Sequence, residues 1–328
     1  MKFLFVAKSI EDPATRYRVA PIVRRLKNRG DAVTLIYDPG IISQLRLIAV
    51  AKAHDLILVQ RKLMNCVIVW LLARLAPHIV FDFDDAIFVK STGKFSRTRS
   101  ARFRAIVRSS KLVIAGNKYL CDEAAAQGVE AIMIPTSVDL KRYVNVKKSD
   151  ELILVWIGSN STARYLRQQN DMLRRIAKII PNIKLRVIGD FSFDVSGLDV
   201  ECVSWSEETE SMMLASAHIG VAPMSDDEWT RGKCALKIIQ YMAAGLPVVA
   251  SNVGANKEVV INGQTGFLVD TIEDWSVAIQ KLSTSERLRL AMGSAGREIV
   301  AERYNQNRIA EKVVRLLDSV IAGKINTV

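Results

Sequence analysis

Short apolar runs alternate along this chain with longer amphipathic stretches. Lys2–Ala7, Ala32–Tyr37, Leu56–Gln60, Ile79–Asp84, Leu112–Ala115 and Ala131–Pro135 are brief and nearly continuous in apolar character, which predicts buried parallel strands. Between them, Ala20–Arg29 places Ile22, Val23 and Leu26 on one helical face, and Gly30 is placed to end that helix. Ile41–Lys52, Leu63–Ala76, Arg99–Arg108 and Tyr119–Gln127 also read as helices. Repeated β-α units of this length give a parallel sheet with helices on both faces. The polar, irregular stretch from Ser137 to Glu151 breaks the alternation. It then resumes with strands at Leu152–Ile157, Leu185–Ile188, Val200–Trp205, His218–Pro223, Pro247–Ser251 and Gly266–Val269. Helices are predicted at Tyr165–Ile179, Glu207–Ser216 and Ala235–Ala244, and over most of the chain after Ile272.

A length of 328 residues suits two domains of ordinary size. The expected fold class is α/β, with two Rossmann-like, doubly wound parallel sheets. The expected boundaries are 1–148 and 149–304, with 305–328 a last helix crossing back to the first domain. There is no repeat period and no low-complexity tract. Cys66, Cys121, Cys202 and Cys234 have no CxxC spacing and read as buried free thiols of a reducing compartment. The histidines His54, His78 and His218 are equally scattered, and no metal site is expected. The apolar run Phe3–Ala7 is too short for a signal-peptide core, and Arg74 and Pro77 interrupt Leu63–Val80. A cytoplasmic protein is expected, with contact to the inner face of the cell membrane left open.

Charge changes the picture more than composition does. The net is +12, but residues 1–148 hold 26 Lys and Arg against 12 Asp and Glu, whereas residues 149–328 hold 20 against 22. From Lys90 to Lys118 there are nine cations and no acid. Such a patch fits an anionic partner: a membrane surface, nucleic acid or an anionic substrate. Phe95 and Phe103 lie in it, but no RNA-binding or helix-turn-helix signature accompanies them, so nucleic acid is not the expected partner.

Five segments carry candidate chemistry. Val155–Thr162 runs from a strand through Gly158, Ser159 and Asn160 into a helix, an arrangement that suits an anion at the helix start. In Trp229–Ser251, Arg231, Gly232, Lys233 and Lys237 lead into a helix; Lys233 and Lys237, four apart, are expected on one face, suited to a diphosphate, with Gln240 a turn on for a ribose hydroxyl. Ser251–Glu258 offers Gly254, Asn256 and Glu258 after another strand, where backbone N–H groups can meet phosphate or sugar. In the first half, Asp84 and Asp85 end a strand, where carboxylates point into the ligand crevice of such sheets and can orient an acceptor hydroxyl. Arg16 and Arg18 are expected to face the same crevice and hold an anionic acceptor.

The stretch from Leu152 to Tyr304 resembles the donor-binding signature of retaining family-4 (group 1) glycosyltransferases of the GT-B fold. The resemblance is most specific at Gln240–Ser251, Val253-Gly254, Glu258–Val260 and Asn262–Val269, and Pro135–Asp139 resembles the segment near that family's hinge. It implies two domains facing a central cleft. It further implies transfer of a sugar from a UDP- or GDP-linked donor to a glycan or lipid-linked acceptor, with retention and without a metal or other cofactor. The family's usual paired glutamates fall on Gly232 and Gln240 here, and the Arg and Lys that usually follow the first donor-domain strand are replaced by Ser159–Thr162. Asp84-Asp85 hold the approximate place of a histidine often found at the acceptor face. Arg231, Lys233 and Lys237 are therefore expected to supply the charge at the phosphates, with Lys233 and Lys237 catalytic. Two rival readings use the same architecture: a nucleotide-sugar epimerase, and a nucleotide-sugar or basic-patch binding protein without transferase activity.

Overall fold

A computed structural model describes residues 1–37, 40–144 and 146–324, leaving undescribed the side chains of residues 41–43. The chain divides into two units, the first made of residues 1–137, 227–234 and 306–328, the second of 138–226 and 235–305. The division falls at Ser137–Val138, ahead of the boundary expected at 148, because Val138 bonds to Tyr304 within the second unit. The sequence also gave no sign that residues 227–234 fold with the first unit.

The first unit holds six parallel strands: β1 (Lys2–Ala7), β2 (Ala32–Tyr37), β3 (Leu56–Gln60), β4 (Ile79–Phe83), β5 (Leu112–Ala115) and β6 (Ala131–Met133), in the order β2-β1-β3-β4-β5-β6. Alternate residues face opposite layers. Ile57, Val59, Phe81 and Phe83 join a core with Leu47, Leu72 and Phe103 from the helices at Ile41–Ala51, Cys66–Leu75 and Arg97–Ser109. Leu56, Leu58 and Val80 join the opposite core with Val19, just ahead of the helix Ala20–Asn28, with Ile22 of that helix, and with Val313 and Leu317 of Gln306–Ile321. Sequence periodicity did not reveal a π-helix at Thr15–Val19, which carries the chain from β1 into Ala20–Asn28. The second unit repeats the plan with β7 (Ile153–Ile157), β8 (Lys184–Ile188), β9 (Asp199–Val203), β10 (Ile219–Ala222), β11 (Val248–Ser251) and β12 (Gly266–Val269), ordered β12-β11-β10-β7-β8-β9 and all parallel.

Among the described residues no helix is long and apolar enough to cross a membrane. The four cysteines are free, but Cys66 and Cys202 are exposed: Cys66 opens a surface helix and Cys202 lies on β9, which ends its sheet.

His218, just ahead of β10, is buried and accepts a hydrogen bond at Nδ1 from the Ile153 N–H (3.1 Å), so the fold holds that nitrogen unprotonated. Burial, with the nearby Lys148 and Arg289 charges, pushes its pKa down to about 4. Below the ordinary histidine value the unfolded chain takes up a proton that the folded chain refuses. His218 is thus expected to withdraw stability as pH falls from about 6.5 toward 4. Urea titrations across that window check this; in His218→Gln the loss should be smaller.

Candidate functional site

In open parallel sheets, ligands bind beyond the carboxyl ends of the strands where the strand order reverses. The first sheet reverses between β1 and β3, the second between β10 and β7.

At the carboxyl end of the first sheet, charges meet in pairs. Arg18, on the π-helix, is buried and clasps Asp82 of β4 through Nε–Oδ2 (2.9 Å) and Nη2–Oδ1 (2.5 Å), while its Nη1 donates to the Ile134 carbonyl (2.9 Å). The expectation that Arg18 holds an anionic acceptor is therefore corrected: the alternation of β4 turns Asp82 toward the π-helix, and the two charges enclose one another. Arg16 is half-buried, its guanidinium over the Tyr17 ring at 4.8 Å. Arg61, in the left-handed backbone region at φ 53°, directly follows β3. Its guanidinium donates to Asp85 (2.8 Å), and it lies 3.5 Å from Asp84 and 3.3 Å from Asp12. A non-glycine residue held there marks a backbone constrained by its surroundings. Burial raises the Asp84 carboxyl above its usual range, with Arg61 opposing and Asp85 reinforcing, and Asp84 Oδ1 accepts no hydrogen bond.

Residues 227–234 complete this edge. A capping box, Asp227 with Thr230, opens a short turn of helix at Glu228–Arg231. The Asn117 amide caps Lys118–Ala125 through Oδ1 and donates through Nδ2 to the Arg231 and Lys233 carbonyls (3.0 and 2.9 Å). Gly232 lies so close to Ala86 that a Cβ would stand 2.5 Å from the Ala86 nitrogen, so its lack of a side chain serves packing rather than the donor contact expected of it. Lys233 Nζ bonds Asp85 Oδ1 at 2.6 Å and sits 4.4 Å from the Trp229 ring centre. Cys234 Sγ donates to the Asp84 carbonyl (3.2 Å).

Lys233 and Lys237 consequently do not share a helix face. The helix spans Leu236–Ala243, and Ala235 ahead of it is left-handed at φ 50°. With Gly232 and Cys234 fixed against Ala86 and Asp84, the chain cannot continue a helix back through Lys233. Arg231 and Lys233 belong to the first unit and Lys237 to the second.

At the second sheet's reversal, Tyr241 joins the two strands that part there: its hydroxyl accepts from the Ile157 N–H of β7 (3.0 Å) and donates to the Val221 carbonyl of β10 (3.2 Å). Its ring lies over Gly220, where a Cβ would approach to 2.4 Å. Lys237, in the first helical turn, holds its ammonium 4.2 Å from the Trp156 ring centre of β7. Gln240 is buried one turn on. Beyond β7, a Cβ on Gly158 would meet the Trp156 ring at 2.6 Å and the Thr162 hydroxyl at 2.7 Å. Ser159 precedes the helix Asn160–Arg167, and both Ser159 and Asn160 are exposed. Past β11, Gly254 takes φ 49° and Glu258 is exposed. Asn256 is buried, with its amide donating to the Ser251 carbonyl (3.0 Å), and so closes the turn beyond β11. Among the described residues no group of three or more His, Cys, Asp or Glu side chains is arranged to hold a metal ion.

Residues 151–285 match the family model described as glycosyl transferases group 1. Over those residues the chain is similar to the group 1 glycosyltransferases. N-acetyl-α-D-glucosaminyl L-malate synthase of Bacillus anthracis is 26% identical over 200 residues, covering 57% of this chain and 50% of that protein. D-inositol 3-phosphate glycosyltransferase of Rhodococcus jostii is 40% identical over 93 residues, covering 28% and 20%. The matches thus span half of the first relative's length and a fifth of the second's. Among solved structures, sucrose-phosphate synthase of Thermosynechococcus elongatus superposes with a TM-score of 0.77 at 18% identity, covering 98% of this chain and all of that one. Anabaena HepE in complex with UDP gives 0.72 at 19%, covering 97% of this chain and 100% of that one. The two parallel six-stranded units are those of the GT-B glycosyltransferase fold.

Arg61, Asn117, Trp156 and Tyr241 escaped the sequence reading. Arg61 alone left a signal there, as a cation directly after an apolar strand.

Proposed function

We propose that this chain is an active, retaining group 1 hexosyltransferase, and that its donor is a nucleotide sugar held at the β7/β10 edge of the second unit. The observation that carries this reading is the cationic helix start at that edge. Lys237 sits in the first turn, where the helix dipole adds to its charge, and Trp156 braces it. Gly158 and Gly254 give the diphosphate close access to backbone, and Ser159, Asn160, Gln240 and Glu258 read ribose or sugar hydroxyls. Support for such a donor comes from HepE, solved with UDP-glucose, and from a Mycobacterium tuberculosis relative named as GDP-mannose-dependent.

In the proposed chemistry the bond from the anomeric carbon to the diphosphate oxygen breaks while a bond to the acceptor oxygen forms on the same face. The acceptor's proton passes to the departing phosphate, whose growing charge Lys237 stabilises. No metal or other cofactor takes part. On the first unit, Asp84 orients the acceptor hydroxyl, and Arg61 and Lys233 hold Asp85 as its anionic neighbour.

Thermal-shift titration with UDP- and GDP-sugars in metal-free buffer tests the donor site. One series should stabilise the protein, and Lys237→Ala should lose most of that shift. No shift with any nucleotide sugar would defeat the reading, and binding without donor turnover would leave a nucleotide-sugar-binding protein.

The acceptor is a glycan or a lipid-linked glycan of the cell envelope, met at the cytoplasmic membrane face. Lys90, Lys94, Arg97, Arg104, Arg108, Lys111 and Lys118 are exposed, as are Phe95 and, on the neighbouring helix Cys66–Leu75, Val67 and Trp70. Each cation near an anionic surface contributes about 1 kcal/mol. Sedimentation with phosphatidylcholine vesicles should show binding only when phosphatidylglycerol is added, fading as salt rises; salt-independent binding would remove the membrane from the proposal.

A further inference from the structure

Two buried neutral polar groups beside the β1/β3 reversal have no hydrogen-bond partner. Gln60, the last residue of β3, is 1% exposed, and neither Oε1 nor Nε2 is bonded. Thr15, the first residue of the π-helix, is 3% exposed with its hydroxyl equally bare. They share a layer. Leu56 and Leu58 face the core that contains Val19 of the π-helix, and Gln60 continues their alternation. Asp82, the register partner of Gln60, faces the same way and is clasped there by Arg18 of the π-helix.

Leaving such groups unsatisfied destabilises a fold, and Leu at position 60 or Val at position 15 would avoid that cost. A bare amide and a bare hydroxyl at the edge where α/β sheets take ligands point to a ligand that completes them. The charges nearby say which kind. Arg18 is engaged by Asp82, Arg61 by Asp85, and Lys233 by Asp85. An anionic group brought here would meet those carboxylates, whereas hydroxyls can both donate to and accept from an amide.

We propose that Gln60 and Thr15 form the floor of a subsite that binds hydroxyls of a neutral sugar in the acceptor. This rests on the transferase reading above and narrows its acceptor from any glycan to one whose end at this edge carries no phosphate or carboxylate. Thr15 opens the π-helix, a geometry that is rare and concentrated at functional sites. Both side chains are buried, so entry of the sugar requires the segment Thr15–Val19 to shift.

The test uses the full chain saturated with the nucleoside diphosphate it prefers. Ligand-observed NMR would compare methyl α-glucoside, methyl α-mannoside and N-acetylglucosamine with glucose 6-phosphate and glucuronate. The neutral sugars should bind about tenfold more tightly than the anions, and Gln60→Leu or Thr15→Val should each weaken them about tenfold. Gln60→Leu should melt no lower than the parent, since it removes a bare amide instead of a hydrogen bond. Equal or tighter binding of the anions, no sugar binding, or unchanged sugar affinity in both variants would overturn the proposal. A lower melting temperature in Gln60→Leu with sugar affinity intact would also overturn it, by making the amide a structural group. Failure of the parent to bind any nucleotide would instead strike the donor reading, and can be told apart because it is measured first.

Discussion

Lys237→Ala is expected to lower donor turnover about hundredfold, roughly 3 kcal/mol of barrier. The magnitude follows from where charge builds during transfer. In the ground state the diphosphate shares its charge among several oxygens and with solvent. In the transition state it concentrates on the departing oxygen, so a fixed cation there is worth more as the bond breaks. Lys237 is suited to the task because it stands in the first turn of its helix, its ammonium 4.2 Å from the Trp156 ring centre. Lys233 is tied to Asp85 at 2.6 Å in the first unit, whereas the sequence alone made the two lysines equivalent. Release of nucleoside diphosphate from the preferred donor, followed with varied donor concentration, separates the alternatives. A fall in kcat in addition to the rise in KM that weaker donor binding brings is the expected result; a rise in KM alone would make Lys237 a ground-state contact only. Lys237→Arg keeps the charge but not its compact shape, and should recover part of the rate.

Arg18→Met should destabilise the first unit by about 3–5 kcal/mol, since it leaves the Asp82 carboxylate buried without its partner. The side chains of Arg18 and Asp82 are only 4% and 7% exposed, and Arg18 also satisfies the Ile134 carbonyl. Much of the loss arises from stranding one charge and not from the net worth of the pair. The double variant Arg18→Met/Asp82→Leu should therefore be more stable than Arg18→Met alone. Guanidinium denaturation of the three proteins measures this directly. If the double variant is no better than the single, the pair acts through the π-helix it anchors and not through charge burial.

The elements were legible because each is a local property. Most strands of the structure correspond to apolar runs, since a strand buried on both faces favours apolar residues; β9, at the edge of its sheet, carries Asp199 and Glu201 and has no buried residue. The helix Leu236–Ala243 and the strand after it were equally plain from Gln240–Ser251, whose small and apolar residues pack Ile238, Ile239 and Met242 inward. The candidate site was legible only in part. Asp84, Asp85, Gly158 and Lys237 were named because each follows or opens an element at the carboxyl edge of a sheet. Arg18 was read as facing the crevice and open to an acceptor because nothing local announces that Asp82, 64 positions away, will enclose it. Lys233 was misplaced for the same reason: its segment answers to Asp85, Ala86 and Asn117, all more than a hundred residues earlier.

Periodicity, charge distribution and one specific stretch of motif were thus enough to determine two α/β units, a basic first half and a likeness to group 1 glycosyltransferases. These follow from residues acting within a turn or a strand of their neighbours. Tertiary structure alone decided which charges are enclosed in pairs, that residues 227–234 fold with the first unit, and that Gln60 and Thr15 lie buried and unbonded beside the strand reversal. Pairing across a sheet depends on which strands become neighbours, and the sequence records that only through the sum of many weak preferences.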